Sequence, residues 1–464
     1  MTAPMVHAGL LCCDGPQYLT RGRLPSGREL AVDVDRDAGA RAMLAGLLDA
    51  GHLMPVDALP GTVRTHARAA GFSDVLIYVA DLGHQGLHLL AGTDGPPRGA
   101  EREIRIEGTA PGRAYQRGLL TSAAPQEEPG TDWWVPVVDG TERIGLLRLR
   151  SAHDDDRARE DADRLAALVA LLIATKRTSS DTLARLMRTE PLNVAAEMAW
   201  NLMPPRTYAD GRVVISAVME PTYQISGDVY EYALDGPLVH LTLFDAMGHD
   251  NAAGLCGALA LGACRNARRQ GSGLAAKGAA VEAALVEQYG HRRYVTGVLA
   301  TLDTRTGMLS WVNRGHHPPI VIRGNRWVSH LQCPPAHPMG TDLNLSSTVC
   351  REQLQPGDRV VLYTDGITDA RRRDDSEFGV ERFTDFLIRH HADGLPVPET
   401  LRRLMQAVLD YHDGQLQDDA TVLMCEWLGD TLRDTEPAAD LTGLPLHGHM
   451  SAPDITVDSG TGTS

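Results

Sequence analysis

The chain has 464 residues, 43% of them hydrophobic and 22% charged, enough for two or three domains with well-buried cores. Its net charge of −16 argues against nucleic acid as a partner, and clustered carboxylates suit bound cations better. Seven scattered cysteines without CxxC spacing argue against a disulfide framework or a structural zinc site and point to a reducing compartment. The segment "LAALVALLIA" (165–174) is too short to cross a bilayer, and the N-terminus lacks the pattern of a secretory signal. A cytoplasmic location without membrane contact is the expectation.

In chain order, residues 1–56 predict a short strand and a helix ("ELAVDVDRDAGARAMLAGLLDAG") closed by Gly51. A second helix follows from about 57 to 70. "SDVLIYVAD" and "GLHLLAG" read as strands, "EIRIEG" alternates in period two, and "APGRAYQRGLL" reads as a short helix. "DWWVPVVDGTERIGLLRLR" predicts a hairpin around Asp139–Gly140. From 156 to 203 the rhythm is helical, with Pro191 as a break and Pro204–Pro205 as the end. Leu165, Leu168, Leu172, Leu183 and Leu186 recur at helical spacing, as a seam between paired helices would.

From 212 to about 428 strands dominate: "VVISAVMEP", "LVHLTLFDAMG", "YVTGVLATLD", "GMLSWVNRG", "PIVIRG", "DRVVLYTDG" and "ATVLMCEWL". Helices fall between them near 250–269, 274–289, 380–391 and 399–410. Strands at short intervals with helices in separate blocks predict an antiparallel sandwich rather than a parallel βαβ array. Residues 429–464 have the composition of a disordered tail.

Within this last domain a pattern recurs: an apolar strand carries a carboxylate at its end, beside glycine or another acid. Asp228 precedes a strand, Asp245 and Asp365 end strands, and Asp418–Asp419 begin one. A single such acid usually serves a turn. Several brought together would repel one another at a cost of several kcal/mol unless divalent cations lay among them. Hard oxygen ligands suit Mg²⁺ or Mn²⁺, and two ions would acidify a water for in-line attack on phosphorus.

The ordered series "NLMPP", "SGDVYEY", "FDAMGHD", "YVTGVLATLD", "NRGHHPPIVI", "LQPGDRVVLYTDGITDA", "EFG" and "DDATVL" resembles the bacterial branch of the metal-dependent (PPM-type) serine/threonine protein phosphatases, the SpoIIE or RsbU type. The resemblance implies an α+β fold: two packed antiparallel sheets flanked by helices, with two metals, Mn²⁺ or Mg²⁺, at one edge. It implies Asp245 as the bridging ligand, the Ala246 carbonyl as a further one, and Asp228, Asp365 and Asp418 as the rest. Asp419 is the alternative to Asp418. Asp245 and Asp365 would be essential to hydrolysis of phosphoserine or phosphothreonine, without a phosphoenzyme. The implied substrate is a phosphorylated anti-sigma-factor antagonist. The chain departs from the family pattern at Ser226, Glu231, Asp250 and Arg314, none of them an expected metal ligand.

Residues 57–176 resemble a GAF domain, an α/β sensor module that often binds a small molecule, on "GFSDVLIYVADL", "GRAYQRG" and "WWVPVVDGTERIGLLRLR". The expected division is thus an unassigned helical segment (1–56), a GAF-like sensor (57–176), a linker or switch helix (177–205) that pairs in a homodimer, the phosphatase domain (206–428) and the tail. His249 and His316 are candidate proton donors, with turn stabilisation as the plainer role. Cys12–Cys13 is a candidate redox pair, with incidental adjacency as the plainer one. Two competing functions remain: a phosphatase-fold protein that binds a partner without hydrolysis, and a hydrolase of small phosphate esters, for which no nucleotide-binding motif is present.

Overall fold

The structure, a computed structural model, describes residues 27–123, 129–224, 227–248, 250–324, 327–334, 336–369, 377–412, 416, 418–429 and 442–443. Ser226, His249, Cys12–Cys13 and, apart from Gly429, Thr442 and Gly443, the expected tail lie outside them.

The N-terminal half begins with helix α1 (Gly27–Gly51), which runs through the stretch expected to hold a strand. "ELAVDV" alternates only briefly, and helix formers on its C-terminal side extend the helix back across it. Then come α2 (Leu59–Ala67), β1 (Phe72–Ala80), β2 (Gly86–Leu89), β3 (Glu103–Arg105), α3 (Ala110–Arg117), β4 (Thr121–Ser122), β5 (Thr131–Asp139), β6 (Glu142–Ser151) and α4 (Asp156–Lys176). The strands form one antiparallel sheet in the order β3-β2-β1-β6-β5-β4. The hairpin turns where its sequence predicts, with Asp139 paired to Glu142 and Gly140 at φ 58°. Period-two alternation sorts the side chains: Val75, Ile77 and Val79 face α1, α2 and α4, while Tyr78 and Ala80 face α3.

The leucine stripe on α4 is used inside this domain. Leu165, Leu168, Leu172 and Leu183 all belong to its core, and Leu186 packs against it. The expected intermolecular seam is therefore corrected. An apolar helical face close to an apolar sheet face buries itself there first, with no association entropy to overcome. Nor is 177–205 one helix: α5 (Asp181–Met187) and α6 (Val194–Leu202) are separated by a break around Pro191.

The C-terminal half contains β7 (Thr207–Ala209), β8 (Val213–Glu220), β9 (Val229–Asp235), β10 (Leu238–Ala246), α7 (Asn251–Arg269), α8 (Leu274–Tyr289), β11 (Val295–Asp303), β12 (Met308–Arg314), β13 (Ile320–Arg323), β14 (Trp327–His330), β15 (Cys350–Gln353), β16 (Arg359–Tyr363), α9 (Asp365–Thr368), α10 (Gly379–Ala392), α11 (Val397–Tyr411) and β17 (Ala420–Trp427). Two antiparallel sheets result, β15-β12-β11-β10-β9 and β14-β13-β16-β17-β8-β7. One apolar cluster takes alternate residues from both, among them Ile215, Leu362 and Leu423 from one sheet and Leu241, Leu243 and Val298 from the other. The intervening positions of the six-stranded sheet, such as Val361, Val422 and Met424, pack under α10 and α11.

Two of the scattered cysteines meet: Cys333 and Cys350 form a disulfide between a loop and the edge strand β15. Cys256, Cys264 and Cys425 are buried thiols. Among the described residues no helix is long and apolar enough to cross a membrane.

Phe383 on α10 is fully buried and lies 4.9 Å, centroid to centroid, from Tyr363, two residues before Asp365. Phe383→Ala is expected to cost about 3–5 kcal/mol through the cavity it leaves. Equilibrium urea denaturation checks this, and a loss below about 1 kcal/mol would contradict the packing described.

Candidate metal centre

Antiparallel register explains why carboxylates distant in sequence converge. On one sheet, β9 begins where β10 ends, with Val229 opposite Phe244, so Asp228 and Asp245 emerge at the same edge. On the other, β17 begins where β16 ends, with Tyr363 opposite Val422, so Asp365 and Asp419 emerge together. Both edges meet.

Hydrogen bonds tie the two sheets at this point. The hydroxyls of Thr364 and Thr421 donate to Asp228 Oδ2 at 2.8 and 2.6 Å. Asp419 Oδ2 accepts from the amides of Gly227 and Asp228 at 2.8 and 3.3 Å. Glycines permit the approach: a Cβ on Gly366 would lie 2.0 Å from the Asp419 carbonyl, and one on Gly227 would lie 2.5 Å from the Ala246 carbonyl.

The five acids differ in setting. Asp228 and Asp419 are buried, Asp245 and Asp365 half-buried, and Asp418 exposed. Asp418 and Asp419 therefore separate as sequence alone could not separate them. The inner Asp419 carboxylate is engaged by loop amides, while Asp418 is open to solvent and its charge acts on Asp245. Asp228 is pushed well above the usual carboxylate range by burial, then by the charges of Asp245 and Asp419. Asp245 is pushed up to about 7 by burial, then by Asp365, Asp418 and Asp419.

Burial, and after it mutual repulsion, leaves these carboxylates in a setting that a bound cation would relieve. Among the described residues, no three Asp, Glu, His or Cys side chains close on one point as a finished cage would. The donor set still fits Mg²⁺ or Mn²⁺, which take hard oxygens and retain several waters rather than requiring an all-protein shell.

His316 is not exposed for proton transfer. Its Nε2 lies 3.0 Å from the Tyr363 carbonyl and its Nδ1 lies 2.8 Å from Thr296 Oγ1. Burial lowers its pKa to about 4. Three departures from the family pattern are each matched by an opposite charge. Glu231 pairs with Arg265 and Arg268, Asp250 caps α7 and pairs with Arg293, and Arg314 pairs with Glu282. The hydroxyls of Thr296, Thr364 and Thr421 escape the sequence reading, although "YTDG" and "DDAT" set two of them beside the acids.

The raised carboxyls set a pH dependence for the metal-free protein. The folded state keeps protons that the unfolded chain, with Asp near about 3.9, has released. Their contribution to stability is complete below about pH 4 and is lost as pH rises through about 7. The melting temperature of metal-stripped protein should therefore fall across this window and recover with Mn²⁺. A flat profile in the absence of metal would contradict the coupling.

Residues 235–428 match the family model for Stage II sporulation protein E (SpoIIE). Protein IcfG of Synechocystis sp. is 28% identical over 131 residues, which is 28% of this chain and 20% of IcfG. The chain thus spans only about a fifth of that relative's length. Phosphoserine phosphatase RsbU of Bacillus subtilis is 20% identical over 235 residues, covering 50% of this chain and 69% of RsbU. Among solved structures, the PP2C phosphatase domain of SpoIIE with a fragment of its regulatory domain, from Bacillus subtilis, overlays at TM-score 0.41 and 22% identity, covering 49% of this chain and 66% of that one. In its C-terminal half, over residues 235–428, this chain carries a SpoIIE-type domain.

Proposed function

We propose that this domain hydrolyses phosphoserine or phosphothreonine in a protein, using two divalent cations, Mn²⁺ or Mg²⁺. The observation that supports the reading is that Asp228, Asp245, Asp365 and Asp418 stand at one edge, where burial first and neighbouring carboxylate charge second push Asp245 up to about 7. Asp245, the Ala246 carbonyl, Asp228, Asp365 and Asp418 would hold the ions. Asp419, engaged with the Gly227 and Asp228 amides, would position the loop rather than bind metal. When bound, the ions supply an acidified water and neutralise charge on the phosphoryl oxygens. The chain's own residues orient the carboxylates through Thr364 and Thr421 and hold the loop that faces the substrate.

The RsbU relative, a phosphoserine phosphatase by name, supports a phosphoprotein substrate, with an anti-sigma-factor antagonist as the specific candidate. Sensor control by the GAF-like half, a small-molecule ligand there, and a cytoplasmic location belong to the same proposal. The route of control would be α5 and α6. Leu82 N donates to Met187 O at 2.9 Å, joining the N-terminal sheet to the end of α5. Beyond α6, Tyr230 and Tyr232 on β9, the strand that follows Asp228, donate to the carbonyls of Pro204 and Pro205. A homodimer would need a surface other than the leucine stripe. The absence of a finished three-ligand cage among the described residues favours one competitor, a partner-binding fold without hydrolysis.

Turnover of a phosphoserine peptide with Mn²⁺, with and without chelator, separates the two. Metal-dependent turnover is expected, falling at least about a hundredfold in Asp245→Asn and Asp365→Asn. Equal rates in chelator, or no turnover with metal, would overturn the hydrolytic reading.

A further inference from the structure

We propose that His316 is a positioning residue that braces the strand end bearing Asp245 against the strand end bearing Asp365, and so sets the spacing of the two carboxylates. The inference rests on the metal-dependent reading above and concerns how that site keeps its shape.

Asp245 belongs to the five-stranded sheet and stands opposite Thr296 in the β10–β11 register. The Thr296 side chain stands beside the Asp245 carboxylate, and its hydroxyl lies 2.8 Å from His316 Nδ1. On the far side of the ring, Nε2 meets the carbonyl of Tyr363, the last residue of β16 in the other sheet, at 3.0 Å. A carbonyl only accepts, so Nε2 carries the ring's proton, and Nδ1 accepts from the Thr296 hydroxyl, which packs against Asp245 rather than donating to it. One imidazole thus spans the gap between the sheets, with a metal-binding candidate just beyond each end: Asp245 past Thr296, and Asp365 two residues past Tyr363.

The brace is itself anchored. Asn313 closes the turn that carries His316, accepting from its amide and donating to its carbonyl, each at 2.8 Å. Gly315 in that turn has φ 71°, and a Cβ there would meet Pro338 at 2.8 Å. His317 stacks on the Tyr363 ring with centroids 5.7 Å apart, which fixes the same strand end from a second direction. A ring so enclosed is suited to holding distance, because it has few other positions to take.

The test is Mn²⁺ binding by the full-length chain, measured by titration calorimetry and by the electron paramagnetic resonance of free Mn²⁺. His316→Ala is expected to weaken Mn²⁺ binding by about tenfold to a hundredfold, the range seen when groups orienting metal ligands are removed. Thr296→Val should weaken it comparably, while Thr296→Ser, which keeps the hydroxyl, should restore it. The double variant Thr296→Val/His316→Ala should bind no worse than the weaker single one, because both break the same brace. If His316→Ala does not fold, the Val and Ser variants at Thr296 decide alone. Unchanged affinity in His316→Ala or Thr296→Val, or losses that simply add, would overturn the brace. Failure of the unsubstituted chain to bind Mn²⁺ would overturn the metal-dependent reading, and the brace with it.

Discussion

Everything at the acidic edge depends on repulsion between carboxylates that the fold forces together. A strand pair in each sheet opens at the same end, and an acid stands beside each opening. Register leaves no freedom here: a shift of one residue would turn each strand's apolar positions away from the core. Burying the inward residues of β10 and β16 therefore also fixes where Asp245 and Asp365 emerge. Core packing supplies the free energy that holds the charges close, and a bound cation would relieve it.

Short hydroxyl side chains and backbone amides offset part of the cost. Hydrogen bonds to charged groups contribute about 1.5–3 kcal/mol each, and Asp228 takes two from threonines. Asp419 takes two from amides and so helps shape the loop that presents Asp228. Charge matching extends outward. Glu231, Asp250 and Arg314 replace smaller or shorter residues of the family pattern, and each is met by a partner of opposite sign. Arg314 is buried, so its ion pair with Glu282 and its bond to the His337 carbonyl are required there rather than ornamental.

The strands of the C-terminal half were legible because their apolar runs are long and their ends carry glycine or acid. "LVHLTLFDAMG" becomes Leu238–Ala246, and "ATVLMCEWL" becomes Ala420–Trp427. Edge strands such as Trp327–His330 and Cys350–Gln353 were not, because "WVSH" and "CREQ" lack the apolar run that marks the equally short Ile320–Arg323. The acids were legible as a recurring motif, but the different settings of Asp418, exposed, and Asp419, buried, required coordinates, since spacing just ahead of a strand does not report burial. The Cys333–Cys350 pairing was illegible for a related reason: spacing along the chain does not report which loop returns to which edge.

The leucine stripe shows where sequence periodicity misleads. Helical spacing marks a face that must be covered and leaves its cover unspecified. In this chain the cover is the N-terminal sheet, which buries Leu165 completely and leaves about a tenth of Leu168 and Leu172 exposed. A long rigid lever between the halves is thereby replaced by two short helices joined at Pro191. Across the break, Arg188 at the end of α5 pairs with Glu197 on α6 at 2.7 Å. A signal reaching α5 would thus act on α6 by displacement of a hinge rather than by rotation of a continuous rod. The Arg265 guanidinium, which grips both the Leu202 carbonyl at the end of α6 and Glu231 on β9, would carry that displacement into the strand that follows Asp228.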